Sequence, residues 1–221
     1  MDSRIVNREI RTEIWPFLRQ HGFDGFSTRT AWRRGPDRIE VVDFQSFSSY
    51  LAEGIGCTTF SFAVNLGIQF RFIPIGDWST KNPPPRDGLK NQHCHLRGKL
   101  TKSLHQPQLG RNDVWYIDAG GSNLLFVLAD VRESFTQRGL PWFARFAALR
   151  DVLRCLREEE MSEEWFGPGA LDSPNRRWHT GHVARALGED RLADQLIADA
   201  EAELELIRVQ ISQVRKRRHR S

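Results

Sequence analysis

The stretch that most constrains this chain is residues 58–73, TTFSFAVNLGIQFRFI. Every even position from Phe60 to Phe72 is apolar: Phe60, Phe62, Val64, Leu66, Ile68, Phe70 and Phe72. Most odd positions are small or polar, as at Ser61, Ala63, Asn65, Gly67, Gln69 and Arg71. Side chains of a strand alternate between two faces, so this period of two sets one wall on a core and the other outside it. A helix would scatter the seven apolar residues around its circumference. The segment is therefore a strand, and a central one.

Its neighbours fit an antiparallel meander. Residues 3–20 carry Val6, Ile10, Ile14, Phe17 and Leu18 at helical spacing, with Gly22 as a stop. Pro16 lies inside this pattern and should kink or split the helix. A strand follows at about 26–33, with Phe26, Thr28, Thr30 and Trp32 on one face and Ser27, Arg29, Ala31 and Arg33 on the other. The turn Gly35-Pro36-Asp37 leads to a second strand, Ile39 to Phe47, and residues 48–56 read as a loop. Residues 74–91, with Pro83-Pro84-Pro85, form another loop. From His93 to Leu100 the pattern alternates again: Cys94, Leu96 and Leu100 point one way, and His93, His95, Arg97 and Lys99 the other. A short strand surrounds Trp115. Gly120-Gly121 then breaks the chain before a helix with Leu125, Leu128, Val131 and Phe135 as its core stripe, ended by Gly139. Pro141 suits the first turn of the next helix, which continues through Phe143, Phe146, Leu149, Val152, Leu153 and Leu156.

Several of these segments resemble a known family. GFDGFSTRTAWRR, then VVDFQSF, then FSFAVNLGI are similar to the bacterial family called domain of unknown function 4304. The WPFL helix end, Cys94-His95-Leu96-Arg97 and Val114-Trp115-Tyr116-Ile117 extend the likeness, which covers about residues 5–120. The resemblance implies an α+β domain and no activity. The expected fold is thus α+β: an N-terminal helix packed on an antiparallel sheet of four or five strands, followed by a helical C-terminal half. Residues 1–157 are expected to form the α+β domain. Residues 158–221 are expected to form a helical extension with a basic tail, after an acidic, Gly-Pro-Gly joint.

At 221 residues and 39% hydrophobic content, the chain is long and apolar enough to bury a core. No apolar run approaches the roughly 20 residues that span a bilayer, and the charged start MDSRIVNREIRTEIW lacks the apolar core of a signal peptide. Cys57, Cys94 and Cys155 are odd in number and widely spaced, which suits a reducing cytoplasm.

Two features point to partners. Arg29, Arg33, Arg71, His93, His95, Arg97 and Lys99 are expected on the non-core face of the sheet, a cationic surface fit for an acidic protein or a phosphate backbone. Residues 81–111 reinforce it, with seven bases against one acid. In the last helix, Ala193, Ile197, Ala200, Leu204, Ile207, Ile211 and Val214 alternate spacings of four and three, an a/d seam over three heptads. Residues 189–205 hold seven acids and one Arg, whereas 208–220 hold six bases and no acid. That arrangement complements the helix dipole and suits antiparallel pairing of two copies. Docking of the helix on its own domain is the plainer alternative.

Catalytic and metal chemistry find less support. His93 and His95 share a strand face that Cys94 opposes, so zinc would need a distant ligand such as His105 or His179. His179 and His182 lack a third ligand. There is no G-x-S-x-G, Walker loop or G-x-G-x-x-G. Gly120-Gly121-Ser122 could hold an anion at a helix start or simply make a turn. The expected function is a non-catalytic cytoplasmic binding protein without cofactor or metal, acting on another protein or on a second copy of itself. The alternatives are a nucleic-acid-associated accessory protein, such as a member of a defence or toxin–immunity locus, and a hydrolase using the His93/His95 strand.

Overall fold

The computed structural model describes residues 2–74, 88–158, 165–166 and 171–218, with the backbone alone for 165–166 and 214–218. The described residues up to 145, with Trp165–Phe166, form one compact unit; residues 146–158 and 171–218 form a second. The chain is α+β.

In the first unit, α1 (Ser3–Glu9) runs through a π-turn (Ile10–Ile14) into α2 (Trp15–Gln20). The sheet then forms in chain order: β1 (Gly25–Phe26), β2 (Thr30–Arg34), β3 (Arg38–Ser46), β4 (Phe62–Phe70), β5 (Leu96–Lys99) and β6 (Trp165–Phe166), every pair antiparallel. Four substantial strands thus stand between two-residue edges. The central strand runs beside β3 over its whole length, from Arg38↔Phe70 to Ser46↔Phe62. Its even residues Phe62, Val64, Leu66, Ile68 and Phe70 are buried, but Ala63, Asn65 and Gly67 are buried as well, so the wall expected to lie outside the core is covered too. Ile14, Phe17 and Leu18 from the first helix, Val131 from α4 (Leu124–Ser134) and Phe135 just after it close over Val42, Phe44 and Val64. Trp15 meets Phe44 edge-on at 5.6 Å.

Three local expectations are corrected. The strand expected at 26–33 is a hairpin, because the Ser27 amide donates to the Thr30 carbonyl (2.8 Å) and the Thr30 amide to Ser27 Oγ (3.1 Å). That turn shifts the phase, so Ala31 and Arg33 share the helix-covered face with Val42 and Glu40, and Trp32 faces away. The loop expected at 48–56 contains α3 (Ser49–Ile55), capped by Ser48 and stopped by Gly56 at φ 80. In α4, Leu125 is exposed, and the buried stripe runs through Leu124, Val127, Leu128 and Val131.

Pro16 does not end the helical run; a widened turn before it divides the run into α1 and α2. The Trp15 amide donates to the Ile10 carbonyl, five residues back. The same device recurs after α4: a π-turn (Phe135–Gly139) closes with the Leu140 amide on the Phe135 carbonyl, immediately before Pro141. A proline clashes with the carbonyl four residues earlier and cannot donate to it; one extra residue in the turn moves that carbonyl aside. Gly139 therefore does not end the helix, which continues as α5 (Leu140–Arg145).

In the second unit, α6 (Leu149–Glu158) and α7 (Pro174–Ala186) pack together, and α7 turns at Gly188 into α8 (Asp190–Arg218). The helix at 149–158, expected in the first domain, groups here because Arg176 of α7 caps it. Arg176 is fully buried, and its guanidinium donates to the Leu156 (2.7 Å) and Cys155 (2.8 Å) carbonyls at the α6 C-terminus. These carbonyls lie in the last described turn of α6, at the negative end of the helix dipole, so a buried cation is well placed there.

Candidate functional site

The cationic residues expected on one sheet face divide between several environments. Arg97 and Lys99 do lie on the face away from the helices, level with Gly67 and Asn65. Arg33 lies on the other face, on the helix side, through the phase shift in β2. It pairs with buried Glu40, donates to the His21 carbonyl (2.8 Å) and stacks over Phe23 and Phe143. His95 also leaves the group. The alternation in this segment begins only at Leu96, after a 3-10 turn (Asn91–His93), so Cys94 and His95 are both buried. His95 Nδ1 accepts the Phe70 amide (3.0 Å) and its ring stacks on that of Phe70. His93 sits in the turn, where Nδ1 accepts the Lys90 amide (3.0 Å); burial, helped by Lys90, lowers its pKa, against the pull of Asp43. Arg71 follows β4 and donates to the Gly35 carbonyl (3.2 Å). Arg29 reaches Asn7 Oδ1 (2.7 Å), and burial lowers its pKa against the attraction of Asp43.

Much of the remaining positive charge is neutralised within the fold. Lys99 (2.8 Å) and Arg111 (2.7 Å) converge on one oxygen of Asp113. Burial alone would raise the Asp113 carboxyl, but hydrogen bonds from Arg111 and Lys99 outweigh it and hold the pKa at about 2. Lys102 donates to the Val114 carbonyl (2.8 Å), and burial lowers its pKa. Lys81 and Arg86 lie outside the described residues. The face also carries a polar row that charge counting does not show: Thr30, Asp43, Asn65 and Lys99 lie side by side across four strands. Thr30 Oγ1 donates to Asp43 (2.9 Å), whose pKa is raised by burial. Asp43 and Asn65 were legible only as polar interruptions in apolar strands.

Part of this face is covered. Asn91 donates to the Leu66 carbonyl, Trp32 Nε1 donates to the Leu89 carbonyl (2.7 Å), and Cys94 packs with Trp32, Val41, Ile39 and Leu89. The fit depends on Gly67: a Cβ there would stand 2.5 Å from Cys94 Sγ. Burial pushes the Cys94 thiol pKa far up, so it is a packing residue and not a nucleophile.

The helix start at Gly120-Gly121-Ser122 already holds an anion, supplied by the chain. Asp118 accepts from the Gly121 amide (2.6 Å), the Ser122 amide (3.2 Å), the Asn123 amide (3.1 Å) and Ser122 Oγ (2.7 Å). The Ser122 hydroxyl leads the interactions that lower the Asp118 pKa to about 2. Among the described residues, no group of three or more His, Cys, Asp or Glu is placed to hold a metal ion. His179 and His182 flank Trp178, whose ring lies 4.3 Å from that of His182.

The seam in α8 behaves as two halves. Ala193, Ile197 and Ala200 are buried, and Gly181 of α7 lies so close that a Cβ there would meet Ile197 at 2.6 Å. Arg185–Asp194 (2.5 Å) and Arg177–Glu203 (2.8 Å) tie the two helices along their length. α7 has 13 residues and α8 has 29, so α8 is longer than its hairpin partner, and among the described residues its ion pairs with α7 end at Glu203. Leu204 is half-buried, whereas Leu206 (64%), Ile207 (37%), Val209 (43%) and Ile211 (48%) are exposed. The Val214 side chain lies outside the described set.

An α+β unit with an antiparallel meander, joined to a helical unit with an overhanging helix, is the class these observations define. A family model described as Domain of unknown function (DUF4304) matches residues 14–145, and the chain belongs to that family. The match ends at residue 145, where the main segment of the first compact unit ends, later than the likeness read from short motifs. No curated protein and no solved structure matches the chain. Among the described residues, no helix is long and apolar enough to cross a membrane.

Proposed function

We propose that the protein is a non-catalytic cytoplasmic interaction protein that docks a partner chain, another protein or a second copy, through the overhanging half of α8. The observation that carries this reading is the run of exposed apolar side chains at Leu206, Ile207, Val209 and Ile211, past the point where α7 ends. An isolated helix is marginal in water, and its apolar side chains gain free energy only when covered. The sheet face supports the same choice of a protein over a phosphate backbone. Lys99 and Arg111 share Asp113, and Asp43 stands among the bases, so the surface is mixed in sign. Arg97 lies on this face and is available to an acidic partner as a secondary contact.

The test compares the wild type with Ile207→Asp/Ile211→Asp in affinity capture, followed by purification of each captured protein and direct titration. The substitutions leave Ala193, Ile197 and Ala200 untouched, so helicity and melting should hold. A partner whose affinity falls at least about tenfold supports the reading. Equal affinity of every captured partner for both forms would refute it.

A further inference from the structure

Resting on that reading, we infer that the occupant of the α8 overhang is the same overhang of a second copy, packed antiparallel about a dyad at residue 209. The argument starts from the heptad. Leu204 and Ile211 fall at a, and Ile207 and Val214 at d. In an antiparallel pair an a residue of one helix lies level with a d residue of the other. That places Ile207 against the partner copy's Ile211, and Leu204 against its residue 214, twice each by symmetry. The same register aligns the charges. Position e pairs with e and g with g, which sets Glu201 against residue 215 and Glu203 against residue 217 of the other copy, and both of these are Arg.

A parallel pair would set the acidic stretch 189–205 on its own copy and the basic stretch 208–220 on its own copy, so the charge order selects the antiparallel arrangement. Two contacts within one chain bear on it. Glu203 also holds Arg177 (2.8 Å), which fixes the acidic end of the register on the hairpin. The two Arg208 side chains meet at the dyad, where like charge opposes pairing, and each has Glu205 of its own helix as a counterion (3.3 Å). The overhang is long enough for this: 204–218 spans about 20 Å at 1.5 Å per residue. Among the described residues the ion pairs between α7 and α8 end at Arg177–Glu203, and Leu206, Ile207, Val209 and Ile211 beyond it are exposed.

The experiment is sedimentation equilibrium of the purified full chain over a micromolar concentration series. Three forms are compared: wild type, Arg215→Glu/Arg217→Glu, and Glu201→Arg/Glu203→Arg. The inference expects a wild-type dimer, association weakened at least about tenfold in favour of monomer for each variant alone, and recovery of the dimer when the two variants are mixed. A second variant avoids charge reversal and the Arg177 contact. Arg208→Cys in a Cys57→Ser background should be joined to its copy by a short bis-maleimide, because the dyad brings the two 208 positions together, whereas a parallel pair separates them to opposite sides. A wild type that stays monomeric throughout overturns the inference, as does association unchanged by both charge reversals or absence of the 208–208 cross-link in a dimer. A monomeric wild type that still loses a different purified partner on Ile207→Asp/Ile211→Asp overturns only the second-copy inference and leaves the docking reading standing.

Discussion

Gly67→Ala should loosen the segment that covers one face of the sheet, and the size of the effect follows from the geometry. The new methyl would stand 2.5 Å from Cys94 Sγ and 2.9 Å from Cys94 Cβ. Carbon and sulfur atoms pack comfortably at about 3.5–4.0 Å, so the 89–94 segment must retreat by roughly 1 Å. It cannot slide freely, because Trp32 Nε1 holds the Leu89 carbonyl and Asn91 holds the Leu66 carbonyl. Overpacking of this kind costs about 1–3 kcal/mol, while replacing a strand glycine by alanine returns about 0.5–1 kcal/mol of backbone entropy. The overpacking outweighs the entropy return over most of this range, with a net loss of up to about 2.5 kcal/mol. Urea unfolding should show this as a lower midpoint at unchanged slope. Thiol labelling supplies the local readout. Cys94 is 7% exposed, and its burial disfavours the thiolate, so it should stay unreactive in the native protein and become reactive in Gly67→Ala. Adding Cys94→Ala should restore part of the stability, since Sγ is the closer of the two contacts. An unchanged midpoint together with an inert Cys94 would refute the packing account.

Further outcomes follow from single contacts. Asp113 and Asp118 have pKa values of about 2 in the fold, below the ordinary carboxylate value of about 3.9. Their stabilisation is therefore complete above pH ~4 and lost as pH falls from ~4 toward 2; melting followed through that window should fall less steeply in Asp113→Asn. Asp43 has the opposite sign. Its raised pKa means the fold favours the protonated form, so Asp43→Asn should raise the melting temperature at neutral pH and change little in acid. Arg176→Met should cost about 2–5 kcal/mol by removing the buried donors to the Leu156 and Cys155 carbonyls, and hydrogen exchange should rise first at the end of α6. A loss below about 1 kcal/mol would show that those carbonyls find other partners.

The parts of the fold legible in the sequence were those in which one periodicity runs long enough to dominate. The stretch from Phe60 to Phe72 around β4 has seven alternating apolar residues, and β3 pairs with β4 along nine positions, so the central sheet and its helix cover could be read directly. The misreadings occur where a few residues change the phase. Ser27–Thr30 is polar and alternating, so its turn is indistinguishable in pattern from a continuous strand, and Arg33 was assigned to the wrong face as a result. The 3-10 turn before β5 has the same effect on His95. α3 spans seven residues, too few for a helical period to repeat twice. The π-turns are the subtlest case: proline in a helix reads as a break, and only the extra residue ahead of it lets the helix run on. The seam in α8 was visible because its spacing is regular throughout. Its division into a docked half and an exposed half follows from the length of α7, which a single-helix pattern does not contain.

Asp118 has a consequence for any ligand search around α4. The backbone amides at this helix start are occupied by a carboxylate three to five residues away in the same chain. A tethered ligand of that kind acts at an effective concentration in the millimolar range or above, without any diffusional loss. A free phosphate or acidic peptide arriving at these amides meets a competitor that never leaves. The loop is thus inhibited by its own sequence toward external anions, and Asp118→Ala is the change that would open it.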